Sequence, residues 1–316
     1  MARLLLLGAM AALFFSSTFV LNRAMSLEGG PWVWSAGLRY AFMLPILAVW
    51  TLASGGPRAL GATLRLFAEH PVFWTLAGSV GFGVFYAGVT LASVFSPGWV
   101  VATTWQSTIL ATPVVLALLG RKVPAKGLLF TALIFAGIVL VNVEQAGQAA
   151  DLGSLWGVAA VLVAAFAYPL GNQLVWEARH GGGGRTGLLS RIPHIAQPAL
   201  DAGRAPTLLL TIGSIPFWLC LVAATQPPPP SAGQVARTAL VALFSGVIAT
   251  TLFLRARSRA KTAYELAATD ATQSLEVVFS LLGETLLLAA PWPGIMGAAG
   301  IALAVVGLVL YVCRQV

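Results

Sequence analysis

The chain has 316 residues, of which 58% are hydrophobic and only 9% charged, with a formal net charge of +8. Soluble domains carry roughly 25% charged residues, so a water-soluble fold is excluded, and a mean hydropathy of +0.88 leaves connections too short for a separate soluble catalytic domain. The positive charge is spread over four connections and two tails rather than gathered on one patch, which argues against a nucleic-acid surface.

Ten apolar stretches follow one another, at 3–22, 31–53, 71–95, 98–119, 125–143, 153–178, 204–225, 236–254, 262–290 and 291–313. Each is about 20 residues or somewhat more, the length needed to cross a hydrocarbon core of ~30 Å at 1.5 Å per residue. Lipid offers backbone groups no water to bond, so helices are expected, and the alternating pattern of a β-barrel is absent. The fold class is therefore an all-α polytopic membrane protein with ten spans.

The first span begins after Arg3 and could pass for a secretory h-region, but Leu4 to Leu21 is long enough to cross and no small-residue cleavage site follows, so a retained helix is expected. It carries Ser17 and Asn22, and the second span holds Arg39, ~12 Å below the membrane surface by helix rise. Tyr86 and Thr90 lie in the third span, and the fourth contains the polar run Thr103, Thr104, Trp105, Gln106, Ser107 and Thr108, too dense to face lipid. Tyr168, Asn172 and Gln173 follow in the sixth. The ninth span is the least membrane-like, with Asp270, Gln273, Glu276 and Glu284. An acid at a helix centre costs on the order of 2.5–3.5 kcal/mol, so a deep pair costs ~5–7 kcal/mol and must face the bundle interior. Asp270, Gln273 and Glu276 are spaced by three and form one polar stripe.

Counting basic residues fixes an expected orientation. With the N-terminus inside, the inner segments hold Arg3; Arg58 and Arg65; Arg121, Lys122 and Lys126; Arg179, Arg185, Arg191 and Arg204; Arg255, Arg257, Arg259 and Lys261; and Arg314. Only Arg23 and Arg237 fall near the outside, and Arg39 lies within a span. Both termini are thus expected in the cytoplasm.

The two halves, 1–150 and 151–316, read as a five-helix repeat. Gln106-Ser107 followed by Ala136-Gly137-Ile138-Val139-Leu140-Val141 corresponds to Gln273-Ser274 followed by Val306-Gly307-Leu308-Val309-Leu310-Tyr311. Five is an odd number, so the second half enters the membrane inverted, and inverted repeats place a substrate site at their interface near the midplane.

At this point the residues resemble a known group. Phe15-Ser16-Ser17-Thr18-Phe19, Arg39, and the Gly297-Ala298-Ala299-Gly300 run continuing to Gly307 are similar to the drug/metabolite transporter superfamily. Asn172-Gln173-Leu174-Val175-Trp176-Glu177, Gly213-Ser214-Ile215-Pro216-Phe217-Trp218 and Ala271-Thr272-Gln273-Ser274-Leu275-Glu276-Val277 resemble its ten-helix, EamA-like multidrug resistance efflux branch. The resemblance implies an inner-membrane exporter working by alternating access, with a cavity between spans 1, 3, 4, 6, 8 and 9. Small members of the superfamily use a membrane-embedded Glu in their first helix, and the first span here has no acid, so their proton-coupling scheme does not carry over directly.

The candidate substrate- and proton-binding set is Glu276, Gln273, Asp270, Arg39, Gln106, Trp105, Tyr86, Asn22, Tyr168 and Asn172, a group of hydrogen-bonding and aromatic side chains suited to an amphipathic or cationic organic molecule. Glu276, ~21 Å from the start of its span, is the first candidate for proton coupling. A structural pairing of Glu276 with Arg39 is the competing reading. Glu284 is expected to be hydrated at the outer rim, Trp32, Trp34, Trp99 and Trp292 to belong to an interfacial belt, and Pro113, Pro169 and Pro216 to kink their helices. Gly171, Gly213, Gly297, Gly300 and Gly307 are expected at close helix contacts.

Gly181-Gly182-Gly183-Gly184 lacks the following Lys-Ser or Lys-Thr of a phosphate loop and reads as a flexible connection, as Pro227 to Pro230 reads as a stiff one. His70, His180 and His194 fall in loops without metal-ligand spacing, Cys220 and Cys313 lie at opposite ends of their spans, and no cofactor motif or catalytic triad appears. The expected function is secondary active export of a small molecule, with protons as possible co-substrates and the chain a monomer or homodimer. The alternatives are an uncoupled amino-acid or metabolite exporter and, from another class, a lipid-handling membrane scaffold. A channel is disfavoured because no repeated selectivity loop is present.

Overall fold

The computed structural model describes residues 1–120, 128–148, 153–180, 190–195, 197, 200, 204–260 and 263–314. The basic residues Arg121, Lys122, Lys126, Arg185 and Lys261, the glycine run 181–184, and the Cys313 and Arg314 side chains lie outside what is described. Among the described residues, nine helices are long and apolar enough to cross a membrane, and a tenth apolar helix over Ile295–Tyr311 is shorter. The chain is a polytopic all-helical membrane protein. Its helices are α1 (Ala2–Leu27), α2 (Trp32–Glu69), α3 (Pro71–Phe95), α4 (Gly98–Leu118), α5 (Leu128–Gln148), α6 (Gly153–His180), α7 (Arg204–Thr225), α8 (232–259), α9 (263–288) and α10 (Ile295–Arg314). The face where the chain starts is called here the near face, and the other the far face.

Besides α2, which breaks at Gly56, four helices depart from regular α geometry in their middles. Helix α3 passes through a π-helical stretch at Ser79–Val84 and α8 through one at Ala242–Ala249. Helix α4 is interrupted by a turn at 106–107, between Gly98–Trp105 and Thr108–Leu118, and α9 by a 3₁₀ turn at Thr272–Ser274. Such irregular backbone is tolerated at membrane depth only where it is buried in protein or borders a cavity. The expected proline kinks are not where the helices break: α4 continues through Pro113, α6 through Pro169 and α7 through Pro216.

Helix α2 runs well beyond its expected end at 53. It breaks at Gly56 (φ 71°, ψ −179°) and resumes at Pro57. That backbone region is essentially reserved for glycine, and proline suits the first position of the new helical segment. Gly55-Gly56-Pro57 reads in sequence as a terminator, which is why the continuation was not expected. The extension packs Leu66 against Trp74, Leu209, Ile195 and Leu200 on the near face, and the Trp74 indole donates to the Leu66 carbonyl at 3.1 Å. Elsewhere small residues set the helix spacing, as expected: Gly137 of α5 and Gly300 of α10 meet backbone to backbone.

The far face is closed by polar contacts between helix ends. Glu28 pairs with Arg237, Gln234 donates to the Pro31 carbonyl (2.8 Å) and to Ser35 (2.9 Å), and Trp34 donates to the Pro228 carbonyl at 2.8 Å. Two carboxylates cap helix N-termini, where free N–H groups and the helix dipole favour negative charge. Glu144 accepts from Gly294 and Gly297, each at 2.8 Å, at the start of α10. Glu284 accepts from Gly98 (2.7 Å) and Trp99 (3.1 Å) at the start of α4. Glu284 is only 1% exposed, which corrects the expectation of a hydrated rim residue. Trp99 is likewise buried rather than interfacial, whereas Trp292 is exposed.

Candidate functional site

A cavity of about 720 Å³ lies between the helices, bordered by residues of α1, α2, α3, α4, α6, α7, α8, α9 and α10. It reaches the near-face ends of the helices at Pro206, Arg257 and Tyr311 and stops, toward the far face, at Phe19, Arg39 and Val89. The contacts closing the far face lie beyond that floor.

Of the ten residues expected at the site, eight border this cavity: Arg39, Trp105, Gln106, Tyr168, Asn172, Asp270, Gln273 and Glu276. Asn22 and Tyr86 do not. Both are buried beneath the floor, where the Asn22 amide donates to the Tyr86 hydroxyl at 3.0 Å. Tyr86 still acts on the site, because the Arg39 guanidinium carbon stands 4.1 Å from its ring centroid. A cation over an aromatic face gains ~0.5–2 kcal/mol, more as it is desolvated.

Arg39 does not pair with Glu276. Its Nη1 donates to Thr18 Oγ1 (3.2 Å) and its Nη2 to Ser245 Oγ (3.1 Å), and Thr18 itself donates to Ser245 at 2.7 Å. The reason is depth. Arg39 is seven residues, ~10 Å, into α2 from the far face, whereas Glu276 is twelve residues, ~18 Å, from the far end of α9. Glu276 thus sits near the middle of the α9 span, in the first turn of its second segment. It is 7% exposed, borders the cavity, and has no ion-pair partner within 4.0 Å among the described residues.

Asp270, nearer the cavity mouth, is paired with Arg257 of α8. The stripe expected on α9 therefore exists on one wall, although the 3₁₀ turn falls inside it. Gln273 Nε2 in that stripe is buried without a partner. Opposite stands an aromatic cluster in which Phe85 lies 4.9 Å from both Trp105 and Tyr168, and those two rings are 5.6 Å apart. Tyr40, which also borders the cavity, stacks on Trp218 at 5.3 Å.

Two participants were not singled out for the site in the sequence: Thr18 and Ser245. Ser245 is an isolated small hydroxyl in an apolar stretch, and only the π-helical segment of α8 distinguishes it. Thr18 was part of the Ser16-Ser17-Thr18 run, in which Ser16 and Ser17 bond back to their own helix and Thr18 alone reaches across. No metal-binding group of His, Cys, Asp and Glu occurs among the described residues.

Comparison with known proteins agrees with this architecture. The chain is 36% identical over 323 residues to the "Uncharacterized protein YjlA" of Bacillus subtilis (strain 168), covering 97% of this chain and 93% of that protein. It is 37% identical over 269 residues to the "Uncharacterized 42.1 kDa protein in intracellular alkaline protease 3'region" of Shouchella clausii, covering 81% of this chain and 65% of the relative. A solved crystal structure with 16% identity matches the fold over 98% of this chain and 96% of that one, with a TM-score of 0.58. Residues 2–316 match the family EmrE, described as "Putative multidrug resistance efflux transporter". The chain belongs to this multidrug resistance efflux transporter family, a family of small-molecule transporters within the drug/metabolite transporter superfamily.

Proposed function

We propose that the protein is a secondary active exporter of small organic molecules that works by alternating access, with the cavity as its transport site and Glu276 as its proton carrier. The observation carrying this reading is a cavity that reaches the near-face helix ends yet stops beneath a bonded far face. A transporter caught open to one side has this form.

The inverted-repeat plan, 1–150 against 151–316, is part of the proposal. Its support is the pairing of irregularities. The third helix of each half carries a π-helical stretch, and the fourth helix of each breaks at its Gln-Ser pair, Gln106-Ser107 and Gln273-Ser274. Discontinuous helices in corresponding positions of two halves mark the substrate region of transporters built from repeats. The concentration of Lys and Arg toward the near face supports reading that face as the cytoplasmic side of an inner membrane. The conformation is then inward-open, ready to load substrate from the cytoplasm.

Glu276 supplies the coupling group because its carboxyl borders the cavity near the middle of its span, with no cation among the described residues in ion-pair contact to hold its charge. It can bind a proton arriving from outside and release it inward when substrate displaces it. The test is a flux screen of labelled small organic compounds in vesicles reconstituted with the purified protein, with and without a pH gradient. The reading expects at least one compound to move against its gradient only when a pH gradient is imposed. Flux that is absent, or indifferent to the pH gradient for every compound, removes it.

A further inference from the structure

The strongest unspent observation is the chemistry of the cavity floor. Arg39 is 7% exposed and borders the cavity, yet its hydrogen-bond partners are two neutral hydroxyls, Thr18 and Ser245. Among the described residues no carboxylate lies within ion-pair distance, 4.0 Å, of it. Its Nε is buried with no acceptor at all, although a guanidinium offers five N–H donors. Hydroxyls and the Tyr86 face orient the group but do not neutralise it. A charge buried within a membrane span is costly, so a purely structural arginine would be expected to have a carboxylate or several carbonyls around it. Here three helices, α1, α2 and α8, hold the cation at the end of a cavity without its counter-charge.

We infer that Arg39 is the anion anchor of the cavity, and that the transported compounds carry a carboxylate or comparable oxyanion on a flat apolar body. This rests on the reading of the cavity as a transport site. The guanidinium fork is the side chain best matched to a planar carboxylate, and the ring cluster of Phe85, Trp105 and Tyr168 supplies an apolar wall for the remainder. Glu276, on another wall and nearer the near face, stays out of the way of that pair. A zwitterion would use both ends, its ammonium toward Glu276. A simple organic cation would meet Arg39's like charge and gain nothing from the floor.

The experiment uses the full chain in lipid nanodiscs at neutral pH, titrated calorimetrically with matched probes: phenylpropionate, its neutral amide, the corresponding phenyl-bearing amine, and phenylalanine. The acid is expected to bind at least about tenfold more tightly than the amide, the difference expected for one charge-assisted hydrogen-bonded contact. Phenylalanine is expected to bind no more weakly than the amide. Arg39→Gln is expected to bring the acid down to the amide's level, and Arg39→Lys to leave it between the two. The comparison among probes is made on the unaltered protein, so it stands even if Arg39→Gln does not fold. Equal affinity for acid and amide, preference for the amine, or acid binding unchanged in Arg39→Gln overturns the anchor. The flux screen separates this failure from failure of the transport reading. Vesicles that move only neutral or cationic compounds leave a transporter without an anion anchor, whereas vesicles that move nothing remove both.

Discussion

Replacing Glu284 with Ala should unlock the far face. Its two carboxylate oxygens each accept one backbone N–H at the start of α4, from Gly98 at 2.7 Å and Trp99 at 3.1 Å, in a position 1% exposed. Removing the acceptors strands two buried donors at about 1–3 kcal/mol each, and α4 also loses the negative charge at the positive end of its dipole, worth about 0.3–1 kcal/mol. Water entering the vacated space recovers part of this, so the net cost is about 2–5 kcal/mol in the closed-far-face state. On the proposed alternating-access reading, an outward-open state separates α4 from α9, so the contact and its penalty belong to the closed state alone. Each ~1.4 kcal/mol of that difference moves the equilibrium tenfold toward outward-open. The assay is labelling of Val89→Cys, on the cavity floor, as the single cysteine in a protein with Cys220→Ala and Cys313→Ala, by an impermeant thiol reagent added from the far side. Glu284→Ala should speed labelling by tenfold or more, and Glu284→Gln, which keeps one acceptor oxygen, should do so by less. A labelling rate and an unfolding midpoint in mixed detergent both unchanged in Glu284→Ala would refute the latch.

Gly213→Ala should reduce the yield of folded protein and cost ~1–3 kcal/mol or more: a Cβ there would overlap the Trp74 carbonyl and stand 2.7 Å from its carbon. Gly233→Ala, whose nearest neighbour is Ser231 Oγ at 3.8 Å, serves as the silent control in the same unfolding assay. Gly56→Ala forces a side chain into a glycine-only backbone region, costing about 1–3 kcal/mol, and should loosen the near-face cluster around Leu66, measured as faster amide hydrogen exchange over 57–69. The Glu28 carboxyl, at the exposed end of α1, is held below its ordinary value by its hydrogen bond to Arg237. A group with a depressed native pKa stabilises above its unfolded value and loses that contribution as the pH falls through the native one. Wild type should therefore exceed Glu28→Gln slightly in stability at neutral pH, and the gap should close as the pH drops below about 4.5, as read by thermal unfolding of the two proteins.

The sequence was most informative where lipid constrains it. Spans, their order and the inward turn of the α9 stripe follow from the cost of exposing polar groups to hydrocarbon, and Asp270, Gln273 and Glu276 do border one cavity. What sequence could not give was the partner of each buried polar group, because that depends on how helices are staggered. Arg39 and Glu276 looked level by counting residues. The true far end of α9 at Leu288 and the bonding of Arg39 to Thr18 and Ser245 separate them. Glu284 was misplaced for the same reason: distance from a helix end suggests water, but the α4 N-terminus occupies the space that water would have filled. The prolines drew attention as hinges, yet the helices break at Gln106-Ser107 and Thr272–Ser274, where hydroxyl and amide side chains compete for backbone groups beside a cavity.

Proton movement through Glu276 tests the account most directly. Vesicles containing the purified protein and a pH-sensitive dye, held under an imposed pH gradient, are given a compound returned by the flux screen. Wild-type protein should let that compound discharge the gradient, and Glu276→Gln, extracted from membranes in comparable yield, should abolish the discharge. Discharge at the wild-type rate in Glu276→Gln would contradict the claim and return Glu276 to a structural role.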